Sequence, residues 1–326
     1  MAAEPAEPIG LVFPGQGTQR QGMGEPWRST PAWAVVPEIS RCTGEDIEEL
    51  VLRAPAERLR RTDLAQLAIF TVSVLALLEA RRLGLTEGAV ACAGHSLGEY
   101  TALVAAGALS TSDAAVLVAA RGRAMREAAE ERSGTMAVLV GAGHDEVAEL
   151  VREVRESGHP LWVANINAPG QVVISGSEEG VEQAGAESPR IGAKLIRVAV
   201  GGAFHSPFMA PAADRLREVL DRTPFSAGQL PVVANVDAEP HSGRDDWPTL
   251  STRQLTSPVL WERGVRTLTG PLGCRRLVEL GAGRTLSGMI RRIAPEVEAV
   301  SLDSPQAMVP GGSRAAAAPR AAGVTR

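Results

Sequence analysis

The chain has 326 residues, of which 44% are hydrophobic and 22% charged, with a formal net charge of −5. That is the make-up of an ordinary soluble globular protein with one large core and room for a smaller unit, and the acidic balance argues against nucleic acid as a partner. Cys42, Cys92 and Cys274 are far apart and show no C-x-x-C or Cys/His ligand spacing, so no metal site is expected and free thiols in a reducing cytoplasm are.

Met1–Pro8 carries acids and prolines where a signal peptide would be basic and then apolar, so no export is expected. Ile9 to Phe13 is a β-prone run that ends in Pro14-Gly15-Gln16-Gly17, a first strand entering a Gly-rich loop. Helical patterns follow to Leu83. Leu64 to Leu78 is the most apolar stretch, but Gln66, Thr71 and Ser73 interrupt it; it falls short of a membrane span and reads as a buried core helix. Gly88 to Ala93 reads as a buried strand. Tyr100 to Leu109 carries helical spacing, and a further helix is expected from Ser112, as its cap, to about Ala129. This alternation predicts an α/β core with a parallel sheet.

From Gly134 the pattern changes. Strands at Met136–Val140, Gln171–Ser175 and Lys194–Val200, with helices at Asp145–Glu156 and about Glu179–Ala186, predict an inserted β-α-β-β unit, a small ferredoxin-like α+β subdomain. The expected division is a large subdomain of 1–131 with 202–303, a small one of 132–201, and a tail, 304–326, disordered or loosely docked and rich in Ala, Pro, Gly and Arg. Within the second part of the large subdomain, Pro211–Leu220 is helical, while Val232–Asn235 and Arg275–Leu280 are strand-like.

Between the strand at Gly88–Ala93 and the helix after it lies Gly94-His95-Ser96-Leu97-Gly98, a G-x-S-x-G pentapeptide. In a strand-turn-helix setting this is a nucleophile elbow: the glycines allow a sharp bend, the Ser96 hydroxyl stands out of it, and the helix points its amides at the same place. By itself the pentapeptide leaves open a small residue in a tight turn. A base is needed, and of five histidines His205 has the most suitable setting, in Gly201-Gly202-Ala203-Phe204-His205-Ser206-Pro207 before a helix. His95 reads as a structural or outer residue, since neighbours in an elbow point apart; His144, His159 and His241 read as solvated loop residues. Arg121 lies among apolar residues of the helix after the elbow, either snorkelling or turned to the serine, where its planar fork would hold a carboxylate. Gly15-Gln16-Gly17 is a tight turn or an oxyanion-hole loop; it does not match a phosphate-binding loop.

Together these segments resemble the malonyl-CoA:acyl carrier protein transacylase family, including the discrete trans-acting acyltransferases of polyketide synthases. Phe13 to Gln19 is similar to the family's N-terminal motif, Gly94 to Tyr100 to its nucleophile motif, Arg121-Gly122-Arg123-Ala124-Met125 to its carboxylate-binding segment, Gly202 to Ser206 to its histidine motif, and Arg253-Gln254-Leu255 with Pro258 to Trp261 to its late glutamine segment. The resemblance implies that the α/β core is α/β-hydrolase-like, and it implies Ser96 and His205 as a catalytic dyad, with the amides of Gln16 and Leu97 as the oxyanion hole. It further implies Arg121, Met125 and Phe204 as substrate-binding residues and Gln254 as the residue that orients the histidine. It implies a ping-pong reaction through an acyl-serine, in fatty acid or polyketide biosynthesis, from malonyl-CoA to the phosphopantetheine thiol of an acyl carrier protein. Coenzyme A thioester is then a substrate and no cofactor is bound.

Phe204 before the histidine and Leu97 after the serine favour malonyl in that family; methylmalonyl, a larger extender, a carrier-bound acyl donor and an acyl-thioester hydrolase stand as alternatives. A free-standing cytoplasmic monomer is expected, without nucleic-acid or membrane partners, with Arg291 and Arg292 as candidates to dock an acidic carrier.

Overall fold

The computed structural model describes residues 7–309, so the expectations for Met1–Pro8 and for the tail fall largely outside the described residues. The centre of the main sheet is built from apolar runs buried on both faces, as parallel strands between helices require. Strands β1 (Ile9–Phe13), β2 (Ala89–Gly94), β7 (Val232–Val233), β8 (Pro240–His241), β9 (Arg276–Leu280) and β10 (Glu298–Leu302) lie in the order β10-β9-β1-β2-β7-β8. All neighbouring pairs are parallel except β7 with β8. β1 is buried at all five positions and lies at the middle of the sheet, so its carboxyl end and that of β2 open side by side.

Helices α1 (Val35–Thr43), α2 (Ile47–Leu52), α3 (Thr62–Arg82), α4 (Gly98–Ala105), α5 (Thr111–Glu131), α8 (Ala210–Leu220), α9 (Trp247–Gln254), α10 (Trp261–Thr269) and α11 (Thr285–Ile293) surround this sheet. α3 is longer than the run read from the sequence. By length and composition it could cross a membrane, contrary to expectation, but 94% of its most apolar window is buried inside the protein. The cap of α5 lies two residues earlier than expected, at Ser110 and not Ser112: the Ser110 hydroxyl accepts the Asp113 amide at 3.0 Å. α4 likewise starts at Gly98, directly after the elbow.

Between α5 and α8 the chain forms a second sheet from β3 (Thr135–Val140), β4 (Leu161–Ala168), β5 (Gln171–Gly176) and β6 (Lys194–Val198), in the order β4-β5-β3-β6 and antiparallel throughout. With α6 (His144–Glu156) and α7 (Glu178–Glu187) this is a β-α-β-β-α-β, ferredoxin-like unit. It has one strand more than expected. β4 escaped the sequence reading because Asn165 and Asn167 interrupt its apolar alternation, and two register shifts beside them bend the strand. β10 was also unforeseen.

Leu139, Leu150, Val172 and Ile174 form a separate cluster on the helical side of the small sheet, whereas Met136, Ala164 and Val173 join the main core. Backbone bonds from Ile166 N–H to the Val259 carbonyl and from Val259 N–H to the Ala164 carbonyl, both 2.9 Å, stitch β4 to the segment after α9. At the other end, Pro305–Met308 forms a turn of 3-10 helix with Met308 buried, so the first residues of the expected tail are ordered.

Candidate active site

Ser96 stands between β2 and α4 at φ 51°, a left-handed conformation that a serine adopts only when its surroundings impose it. Close packing does so. A Cβ at Gly94 would strike the Gly98 backbone, one at Gly98 would strike the Phe13 carbonyl, and one at Gly15 the His95 carbonyl. The His95 amide donates to the Phe13 carbonyl at 3.0 Å, tying the elbow to the loop after β1.

His205, also at positive φ (57°), presents Nε2 to Ser96 Oγ at 2.8 Å, and its Nδ1 lies 2.9 Å from the Gln254 carbonyl oxygen. A carbonyl only accepts, so Nδ1 carries the proton and Nε2 offers a lone pair to the hydroxyl. Burial and the nearby Arg121 charge push His205 down to about 3 from 6.5, against the pull of the Gln254 carbonyl. The ring is therefore neutral throughout the physiological range.

Arg121 does not snorkel. It is 1% exposed, and its Nη2 donates to Ser96 Oγ and to Gln254 Oε1, both at 3.0 Å, while Nη1 donates to Gln66 Oε1 at 2.6 Å. Tyr100 lies under it, ring centroid 5.6 Å from the guanidinium carbon. Burial lowers its pKa, opposed by Tyr100 and Glu99.

These groups open into a cavity of about 490 Å³ between the two sheets, lined by Gln16, Leu97, Met125 and Phe204 from one side and by Met136, Val138, Asn165, Asn167 and Val173 from the other. Its size suits a small-molecule acyl group. The Ser96 amide is taken up by Asn235 Oδ1 at 2.7 Å, whereas the Leu97 and Gln16 amides have no acceptor among the described residues. Both stay available for an incoming oxygen. Met125 takes part twice, lining the cavity and accepting a hydrogen bond on Sδ from Gln66 Nε2 at 3.3 Å.

All eight residues singled out from the sequence meet at this one place. Arg291 and Arg292 do not: they bond to the Ala299 carbonyl and to the Pro169 carbonyl and Gln171, and the arginine at the cavity rim is Arg60. Sequence reasoning missed Gln66, Glu99, Asn167 and Asn235. In the sequence Gln66 reads only as an interruption, yet a buried glutamine in an apolar helix is a signal, since its amide must find partners. Asn167 Oδ1 lies 2.9 Å from His95 Nε2, and both residues line the cavity. Asn235 sits just beyond a two-residue strand, with no pattern to mark it.

A neutral histidine on an elbow serine, a backbone carbonyl as its third partner and a buried guanidinium on the hydroxyl define a serine-dependent acyl-transfer protein with an α/β core. The chain belongs to the acyl transferase family: the model of the acyl transferase domain matches residues 11–292. It is 37% identical over 301 residues to the malonyl CoA-acyl carrier protein transacylase of Bacillus subtilis, covering 91% of this chain and 94% of that protein. With the enzyme of the same name from Escherichia coli K12 it is 39% identical, covering 91% and 96%. A solved malonyl-transacylase in complex with a type II polyketide acyl carrier protein superposes with a TM-score of 0.88 at 35% identity, covering 93% and 98%.

Proposed function

We propose that this protein moves a malonyl group from malonyl-CoA to the phosphopantetheine thiol of an acyl carrier protein, by way of an ester on Ser96. The names of its relatives support this reading, and the observation that carries it is Arg121 Nη2 at 3.0 Å from Ser96 Oγ, buried at the cavity wall. A buried cation is costly without an anionic partner, and among the described residues Arg121 has hydrogen bonds but no salt bridge, so an entering carboxylate would complete it.

In the first half-reaction His205 Nε2 takes the Ser96 proton as Oγ attacks the thioester carbonyl. The Leu97 and Gln16 amides stabilise the oxyanion, and His205 returns the proton to the departing coenzyme A thiolate. The malonyl ester ends in a carboxylate within reach of the Arg121 fork, while Phe204 and Met125 bound the acyl group. In the second half-reaction His205 deprotonates the carrier's thiol, the thiolate attacks the ester, and as the bond to Ser96 Oγ breaks His205 returns the proton to that oxygen, restoring the hydroxyl and the neutral ring. Holding the carboxylate orients the ester for the thiol and so favours transfer over hydrolysis. Coenzyme A thioester enters as substrate, the chemistry needs no bound cofactor, and we place the reaction in the cytoplasm. The two units proposed from the sequence, 1–131 with 202–303 and 132–201, each contribute a wall of the cavity in this reading.

Replacing Arg121 by Ala removes the clamp and keeps the dyad. Malonyl transfer is expected to fall by about 100- to 1,000-fold, the loss of one partner of a desolvated charge pair, with acetyl transfer changed far less. Equal losses with malonyl-CoA and acetyl-CoA would contradict the clamp, and rapid release of free malonate by the unaltered protein would make it a hydrolase.

A further inference from the structure

Under the elbow lies a carboxylate that the reaction above does not use. Glu99, in the first turn of α4, is 1% exposed, and both of its oxygens accept: Oε1 from Gln254 Nε2 at 2.9 Å and Oε2 from the Asn235 backbone amide at 2.7 Å. Each partner goes on to the reacting groups. Asn235 Oδ1 receives the Ser96 amide, and its Nδ2 donates to the Gly94 carbonyl at 2.7 Å, so it spans the bend on both sides.

Gln254 is the more constrained of the two. Its Nε2 is surrounded by three acceptors, Glu99 Oε1, the Ser96 carbonyl at 3.0 Å and Asn235 Oδ1 at 3.3 Å. That fixes which way the amide faces. Oε1 must point to Arg121 Nη2, and the backbone carbonyl of the same residue holds His205 Nδ1. From this we infer that Glu99 is a positioning residue: through Gln254 it sets both the histidine that activates Ser96 and the arginine that meets the acyl carboxylate. Burial, helped by the Asp237 charge, raises the Glu99 pKa to about 8, against the pull of the Asn235 amide, the Arg121 charge and the Gln254 amide. An amide in place of the Glu99 carboxyl sets an NH2 against one of these two N–H donors, and the orientation of Gln254 then rests on the Ser96 carbonyl and Asn235 Oδ1 alone, which weakens the hold that keeps its Oε1 toward the guanidinium.

The inference rests on the malonyl-transfer reading, and its test separates the two. Glu99→Gln, Gln254→Ala and the double variant are compared by malonyl transfer and by the rate at which phenylmethylsulfonyl fluoride modifies Ser96, a reaction that needs no acyl substrate. Glu99→Gln is expected to lower kcat by about 30-fold with KM changed less than about threefold, and to slow Ser96 modification in parallel. In the Gln254→Ala background the same change is expected to cost less than about threefold, because its route is already cut. If Glu99→Gln fails to fold, Glu99→Asp, which draws the charge back by one methylene, takes its place in the cycle with the same expectation. A wild-type rate, or an equal loss with and without Gln254, overturns the inference. Wild-type protein that reacts with the sulfonyl fluoride but transfers no malonyl group would overturn the substrate reading alone.

Discussion

At the scale of single residues the site depends on one neutral imidazole. His205 titrates near 3 because it is buried beside a guanidinium, so a free base is present far below the usual histidine pKa of 6.5. Acylation of Ser96, followed as kcat/KM against pH, should therefore show no acid limb at 6.5; a fall through that value would mean that the ring is solvated during catalysis. The same shift affects stability. Between pH 6.5 and 3 the unfolded chain binds a proton on His205 that the folded chain refuses, so folding weakens as pH falls through this window. His205→Gln removes that contribution, and urea unfolding should show wild type losing about 2 kcal/mol more than the variant between pH 6.5 and 5. Ser96, His205 and Arg121 were legible in the sequence because each sits in a motif of small or apolar residues where its own chemistry is out of place. Glu99 was printed inside the same heptapeptide as Ser96, but nothing in one dimension shows that a carboxylate points down instead of out.

At the scale of elements, α5 delivers Arg121 and α4 delivers the amides behind Ser96. Ser110 caps the start of α5, about three turns before Arg121. Ser110→Ala should cost about 1 kcal/mol and lower Tm by about 2–4 °C, with the far-UV spectrum unchanged; no change in Tm would mean that packing alone sets the helix end. Local chemistry predicted most helices and the two central strands, since apolar periodicity and buried runs are properties of short segments. It failed at β4, where the asparagines that line the cavity also hide the strand. Function there opposes the pattern from which strands are recognised.

For the molecule as a whole, the cavity exists because the small sheet turns one face to its own helices and the other to the main core. The return from the small sheet passes directly through His205 to Phe208, whose ring meets Trp162 edge-on at 5.6 Å and Arg132 by a cation–π contact at 3.6 Å. Phe208→Ala should cost about 3–5 kcal/mol in denaturant unfolding and reduce transfer as well, because it loosens the joint three residues from the base; a loss of stability with full activity would show the joint and the dyad to be independent. Such joints pair residues 132, 162 and 208, and sequence spacing carries no trace of them. The measurement that bears most directly on the whole account is intact-mass analysis of the protein mixed with malonyl-CoA and then with a phosphopantetheinylated carrier protein. The expected result is a single malonyl adduct on Ser96, absent from Ser96→Ala, that leaves the protein as an equal amount appears on the carrier's thiol. An adduct on another residue, or malonyl reaching the carrier with Ser96 replaced, would contradict it.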